Sequence, residues 1–304
     1  MEPIAIYDAT ATARLLDFGV LLDALATAAQ DHDAGRIHAP VRTGVPLKGN
    51  GVMLSMPASA DDIAIHKLVS VCPANTALGM PTIFGAVTVC NGATGQPEFI
   101  LDGPTVTGRR TAALSMLGVR LFHPGAPRAF LVIGTGQQAR FHAEAIGQLY
   151  PAATLYVKGR TEASEQTFRA HFAQSGVDVT PTHGAVPEEV DVVIAATTSK
   201  TPVYDDAARK DRLVIGVGAF TPDAAEIAQE TVRASRVFVD DLAAAREEAG
   251  DLLQAGIDWA NVRTIGSAVA DGAAATHDGT PVLLKTVGSG AWDLAACRVA
   301  REMR

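Results

Sequence analysis

The sequence predicts an α/β protein: a doubly wound parallel sheet joined to a second unit of strands and helices. Three observations carry this expectation. After Pro124-Gly125, compact apolar runs at residues 129–133, 154–157, 190–195, 213–217 and 236–239 alternate with helical stretches at 137–150 and 162–175. Strands alternating with helices require crossovers, and crossovers make a parallel sheet. Before that point, residues 37–100 hold short apolar runs at 51–56, 63–71 and 82–89, broken by turn signals such as Asn91-Gly92 and Thr94-Gly95; they read as strands joined by tight turns. Finally, the first strand and first helix of the alternating part are joined by a glycine turn, Gly134-Thr135-Gly136.

At the start of the chain, residues 4–7 read as a short strand, and Asp8 or Thr10 is placed to cap the first helix. Leu15, Leu16, Val20, Leu21, Leu22, Leu25 and Ala28 recur at helical spacing, with Gly35 as a stop. A helix over 107–121 carries Arg109 and Arg110 near its start. The change of pattern puts a boundary near residue 120, and the last helix, from about Ser289, is expected to pack back on the first unit.

Composition excludes several classes. Of 304 residues, 48% are hydrophobic and 19% charged, which suits a folded core rather than a disordered chain. The net charge of -8 and the lack of a Lys/Arg run leave no electrostatic footprint for nucleic acid. Cys72, Cys90 and Cys297 stand far apart, with no CxxC pair and no Cys/His set at metal spacing, so neither a metal site nor a disulfide framework is expected, and a reducing cytoplasm fits. The first residues lack a basic region followed by an apolar stretch, so no leader is expected. No apolar run approaches the roughly 20 residues of a membrane helix.

The glycine turn belongs to Gly134-Thr135-Gly136-Gln137-Gln138-Ala139, the GxGxxA form of the dinucleotide fingerprint, set between a strand and a helix as in a Rossmann unit. Gly134 permits the tight turn, Gly136 lets backbone approach a pyrophosphate, and Ala139 permits close packing. The helix start offers N–H groups and a partial positive charge to phosphate; the competing reading is an ordinary strand-to-helix turn. At the end of the next strand, Lys158-Gly159-Arg160-Thr161 carries no acid to hold ribose hydroxyls. Arg160 and Thr161, with Lys158, suit a 2′-phosphate, which favours NADPH over NADH; the alternative is a solvated turn. Thr197 and Thr198, after the strand ending at Ala195, stand where they line the cofactor's ribose side or simply cap the next turn.

The first unit holds basic residues in apolar or turn-rich settings: Arg42, Lys67, Arg109 and Arg110. Lys67 interrupts an apolar strand. A lysine there ordinarily reaches solvent; the functional alternative is a cationic pocket for a carboxylate, with Arg as a bidentate fork and Lys as a point contact or proton source.

These residues carry a resemblance. Ala39-Pro-Val-Arg42-Thr, Lys67-Leu-Val, Thr107-Gly-Arg-Arg110-Thr-Ala-Ala, Val132-Ile-Gly-Thr-Gly-Gln-Gln-Ala139, Ala196-Thr-Thr-Ser199, Thr221-Pro-Asp-Ala-Ala-Glu226 and Lys285-Thr-Val-Gly288 through Asp293 resemble the ornithine cyclodeaminase/μ-crystallin family. The resemblance implies a Rossmann domain over 119–287 inserted in an α+β substrate and dimerisation domain, 1–118 completed by 288–304. It also implies a homodimer, a carboxylate-binding trio on Arg42, Lys67 and Arg110, and Thr111 beside the cofactor.

One departure narrows the activity. Where cyclodeaminases of this family carry an Asp two residues before the Pro of the loop after the fifth strand, this chain has Phe220, in Gly218-Ala219-Phe220-Thr221-Pro222. A phenyl ring neither accepts a proton nor binds an ammonium through a charged hydrogen bond, which disfavours ornithine cyclisation; Phe220 is grouped with the residues around the cofactor, and Asp223, three residues later, is not assumed to replace the missing acid. Members with this loop resemble ketimine reductases, which reduce Δ1-pyrroline-2-carboxylate to L-proline and Δ1-piperideine-2-carboxylate to L-pipecolate. The resemblance thus implies an NAD(P)H-dependent oxidoreductase acting on a small cyclic imino acid. An alanine-type amino-acid dehydrogenase and a non-catalytic NADPH-binding protein of the μ-crystallin kind are the competing readings.

Overall fold

Two capping aspartates divide the first helical stretch. In the computed structural model, which describes residues 3–272 and 279–304, strand β1 (Ala5–Ile6) is followed by helices α1 (Ala9–Arg14) and α2 (Phe18–Asp33), capped by Asp8 and Asp17. The Asp17 carboxylate accepts the Gly19 and Val20 N–H groups at 2.8 and 3.2 Å, donors that a helix start leaves without intrahelical partners. The chain forms two units: residues 1–110 with 289–304, and residues 111–288. Residues 273–278, inside the stretch expected as the Rossmann domain, lie outside the described residues, as do residues 1–2.

The first unit is built on a six-stranded sheet. Its other strands are β2 (Thr43–Leu47), β3 (Gly51–Ser59), β4 (Ile63–Val71), β5 (Ile83–Asn91) and β6 (Pro97–Asp102), in the order β1-β6-β5-β4-β3-β2. β2 to β6 pair antiparallel, and β1 joins β6 in parallel. β4 alternates with period two: Ile63, Ile65, Lys67 and Val69 are buried, while His66 and Leu68 are exposed. Register places Leu68 beside Ser55 and Ala86, and Ser70 beside Met53 and Phe84, on the opposite face. Helix α3 (Gly103–Phe122) comes next in the chain.

In the second unit eight strands are all parallel. In chain order the elements are β7 (Ala129–Ile133), α4 (Gln137–Leu149), β8 (Thr154–Lys158), α5 (Glu162–Phe172), β9 (Val179–Pro181), β10 (Val192–Ala195), β11 (Leu213–Gly216), α6 (Gln229–Arg233), β12 (Arg236–Val239), α7 (Leu242–Glu248), α8 (Gly250–Ala255), β13 (Arg263–Thr264), α9 (Ile265–Asp271) and β14 (Val282–Lys285). The order β13-β12-β14-β11-β10-β7-β8-β9 reverses direction between β7 and β10. That switch point is where open α/β sheets bind ligands, beyond the carboxyl ends of the strands. β14, a strand that the sequence pattern did not reveal, lies between β11 and β12 and separates two strands adjacent in the expected series.

The last helix, α10 (Gly290–Glu302), is capped by Ser289 and packs on α2, β3 and β4 of the first unit. The units part at Arg110/Thr111 and Gly288/Ser289, whereas the expected boundaries stood at 118/119 and 287/288. The eight-residue difference has a cause: α3 runs unbroken across the boundary, and its later half packs within the second unit. A Cβ on Gly118 would meet a Leu284 methyl at 2.4 Å, and the Phe122 ring lies 4.3 Å from that of Phe238. Among the described residues, no helix is long and apolar enough to cross a membrane.

His142 helps hold α4, the helix opened by the glycine turn. The ring bonds Gln138 O through Nδ1 at 2.7 Å and Ser115 Oγ through Nε2 at 2.9 Å, fully buried. Burial lowers its pKa from 6.5 to about 4. The unfolded chain therefore binds a proton in this window that the folded chain refuses, and stability falls as pH falls from 6.5 to about 4, by about 3 kcal/mol from this group. In urea unfolding at stepped pH, His142→Gln should lose less stability across that window than the parent. Equal losses would place the acid sensitivity elsewhere.

Candidate active site

Lys67 does not reach solvent. Its strand partners Met56 and Val87 lie on the inner face, and the side chain is 2% exposed. An unpaired ammonium there would cost several kcal/mol. The partner comes from α10: Asp293, with no exposed surface, brings Oδ2 to 2.5 Å from Lys67 Nζ. Its other oxygen, Oδ1, accepts a hydrogen bond from Arg110 Nε at 3.0 Å. Lys67 Nζ also donates to Thr107 Oγ1 at 3.4 Å. Burial alone would raise the Asp293 carboxyl, but Lys67 and Arg110 hold it below the usual carboxylate range. Burial lowers Lys67 to about 8; Asp293 opposes this, and Arg110 and Arg42 reinforce it.

Arg42, half-buried just before β2, thus acts on the same point. Arg109 does not belong to this cluster. One position along α3, its Nε donates to Leu16 O at 2.7 Å and its guanidinium lies 3.9 Å from the centre of the Phe18 ring. Adjacent residues on a helix point about 100° apart, so the neighbouring arginines serve different ends.

In the second unit the glycine turn meets the requirements of a nucleotide. Gly134 has φ of +122°, and a Cβ there would meet Ala196 O at 2.4 Å. Gly136, the N-cap of α4, has no atom within 4 Å of a Cβ position and no side-chain cap. The first turn of α4, starting at Gln137 and Gln138, thus has uncapped backbone donors beside an open approach, which fits an anionic diphosphate. Thr135 lies against Gly159: a Cβ on that glycine would meet the threonine methyl at 3.0 Å.

At the end of β8, Lys158 is committed, its Nζ donating to Gly184 O at 2.8 Å. Arg160 and Thr161 are exposed, and Thr161 caps α5 in a reciprocal pair with Ser164. The sequence pattern did not signal Glu165: buried beneath this turn, it accepts the Gly159 N–H at 2.8 Å and pairs with His183 at 3.0 Å.

A second unsignalled carboxylate orders the loops beyond β10 and β11. Glu226 is wholly buried and accepts N–H groups from Thr197 (2.6 Å), Gly218 (2.5 Å) and Ala219 (3.0 Å). The loops touch so closely that a Cβ on Gly218 would sit 1.9 Å from Thr197 O. Asp251 accepts the Glu226 and Ile227 N–H groups at 2.6 and 2.9 Å and pairs with buried Lys285 at 2.8 Å. The Thr197 hydroxyl caps the Ser199 N–H at 3.1 Å, so the capping reading holds for that side chain. Thr198 is exposed, and Phe220 is 40% exposed on the β11 loop. Asp223 is an exposed residue paired with Lys200 at 2.6 Å. Thr111, the first residue of the second unit, is 5% exposed on α3.

Known proteins share both this sequence and this fold. Residues 5–304 match the sequence model of the ornithine cyclodeaminase/mu-crystallin family. The chain is 55% identical over 298 residues to "Delta(1)-pyrroline-2-carboxylate reductase 1" of Burkholderia multivorans, covering 98% of this chain and 95% of the relative. It is 53% identical over 304 residues to "Delta(1)-pyrroline-2-carboxylate/Delta(1)-piperideine-2-carboxylate reductase" of Azospirillum brasilense, covering 99% and 96%. Its fold resembles the solved Delta(1)-pyrroline-2-carboxylate reductase of Thermococcus litoralis in complex with NADH and L-proline, with a TM-score of 0.88 at 24% identity over 99% and 97% of the two chains. With nearly its whole length matched, the chain belongs to the ornithine cyclodeaminase/mu-crystallin family.

Proposed function

We propose that this protein is an NAD(P)H-dependent reductase of cyclic imino acids, converting Δ1-pyrroline-2-carboxylate to L-proline and Δ1-piperideine-2-carboxylate to L-pipecolate. The observation that carries the reading is the buried Lys67–Asp293–Arg110 cluster. Lys67 and Arg110 face the one carboxylate and Arg42 acts electrostatically on Lys67, so the cluster carries a positive surplus that suits an anionic substrate. The relatives at 55% and 53% identity bear the corresponding names.

When bound, the nicotinamide supplies the hydride that forms the new C–H bond at the imine carbon. The chain's residues do the rest. Arg110 and Arg42 hold the carboxylate and so fix the ring. Lys67 donates its proton to the ring nitrogen as the C=N π bond is lost, and regains one from water. Gly134, Gly136 and the start of α4 would hold the pyrophosphate, with Thr135, Gln137 and Gln138 around it, Thr198 on the ribose side beside the turn that Thr197 caps, Thr111 and Phe220 beside the cofactor, and Arg160 with Thr161 at a 2′-phosphate. Phe220 leaves that loop without the acid that amine-releasing chemistry needs.

With either cyclic imine, loss of reduced-nicotinamide absorbance should proceed without added ammonia. An absolute need for ammonia with a 2-oxo acid, or cofactor binding with no turnover, would overturn the reading. Arg110→Ala and Lys67→Ala should lower kcat/KM by about 100-fold or more, while retaining nucleotide affinity. Arg160 carries the NADPH preference: Arg160→Ala should raise the NADPH KM about tenfold and leave the NADH KM unchanged. Equal effects on both would remove it from the 2′-phosphate site.

The proposed assembly is a homodimer through the outer face of the first unit's sheet. Val45, Leu68 and Phe84 there are 51, 41 and 46% exposed. Neighbouring positions Thr43, Leu47, Met53, Ser55, Ser70 and Ala86 are uncharged, with His66 and Asp102 at the margin of the patch, so its centre is less polar than a face kept in water. Leu68→Glu with Phe84→Glu should halve the mass measured by light scattering. A parent that is monomeric at micromolar concentration would exclude the dimer.

A further inference from the structure

We infer that Asp293 is a positioning residue of the reductase site: from α10 it holds the Lys67 ammonium as proton donor and orients the Arg110 guanidinium toward the substrate carboxylate. This rests on the function proposed above. Asp293 has no exposed surface, so it acts through its neighbours rather than on substrate. Its two oxygens are divided between two cations, Oδ2 near Lys67 Nζ and Oδ1 on Arg110 Nε. Contact through Nε uses the side of the guanidinium and directs its terminal nitrogens elsewhere, as a fork on a carboxylate requires. Lys67 has three N–H donors; one goes to Thr107, Asp293 stands beside the ammonium as its counter-ion, and a remaining donor suits a substrate nitrogen.

The groups acting on Lys67 come from every side. Asp293 stands on α10, Arg110 and Thr107 on α3, and Arg42 on the segment before β2. The Cys297 thiol, also on α10, is pushed up by burial and stays protonated. Two arginines and a dry setting would strip the proton from Lys67; Asp293 is the carboxylate that opposes them. The balance leaves Lys67 near 8, charged at neutral pH yet able to release its proton.

Asp293→Asn keeps the shape and an oxygen for Arg110 while removing the charge. In the parent, kcat/KM for Δ1-pyrroline-2-carboxylate should fall on the alkaline side near pH 8. In Asp293→Asn this limb should move about one unit or more toward acid, with about tenfold less activity at pH 7.5 and partial recovery at pH 6. Asp293→Glu keeps the charge but displaces it by a methylene, so the limb should stay in place while the substrate KM rises. An Asn variant whose profile superimposes on the parent's after scaling, or a Glu variant whose limb moves as the Asn variant's does, overturns the inference. If the Asn variant does not fold, Asp293→Glu and Lys67→Arg decide it. An alkaline limb left at the parent's pH in Lys67→Arg overturns the proposal, because arginine does not titrate there. A parent with no imine turnover overturns the functional reading itself; turnover with an unmoved Asn profile overturns the role of Asp293 alone.

Discussion

A carboxylate without solvent, clasped between a lysine and an arginine, ties together the three elements that carry the first unit's charged cluster. Desolvating each ion costs several kcal/mol, and removing one partner of such a pair strands the other at a cost of about 3–5 kcal/mol. Lys67 therefore sits on the inner face of β4 because α10 delivers Asp293 to it, and α10 is held against β3 and β4 partly through that contact. Arg110 closes the cluster from α3. Three elements far apart in sequence are pinned at one point, the point at which the proposed chemistry gathers its charge.

The second unit applies the same logic with backbone donors. Glu226 is as buried as Asp293, but its partners are the N–H groups of Thr197, Gly218 and Ala219. A carboxylate satisfied by backbone amides fixes loop geometry rather than side-chain charge. Asp251 and Lys285 support it, so β14 contributes to ordering the loops beyond β10 and β11. The loop beyond β10 borders the switch point between β7 and β10, where a bound nucleotide would need backbone that does not yield.

Neighbours in sequence diverge where the tertiary structure separates them. Arg109 anchors α3 to the backbone of Leu16, while Arg110 reaches Asp293. Asp223 sits in an exposed pair with Lys200, while Glu226, three residues on, is buried among amides. Lys158 is occupied by Gly184 O, leaving Arg160 as the exposed cation of that turn. Residue type set what each group was able to do; the choice among options lay in which element faced it.

Local pattern alone determined the alternation of strands and helices beyond residue 125, the glycine turn and the period-two strands of the first unit. These rest on backbone propensity and spacing, which neighbouring residues encode. Phe220 in place of an acid was legible only through the family resemblance, which supplies the motif from which this chain departs. The burial of Lys67, the place of β14 in the sheet, the passage of α3 from one unit to the other and the roles of Asp293, Glu226 and Glu165 were decided by tertiary structure. Each depends on a partner remote in sequence: Asp293 lies more than 200 residues beyond Lys67 and meets it only when α10 packs on β4. A lone lysine in an apolar strand reads first as an exposed cation until the acid that neutralises it is placed, and local sequence carries no record of that distance.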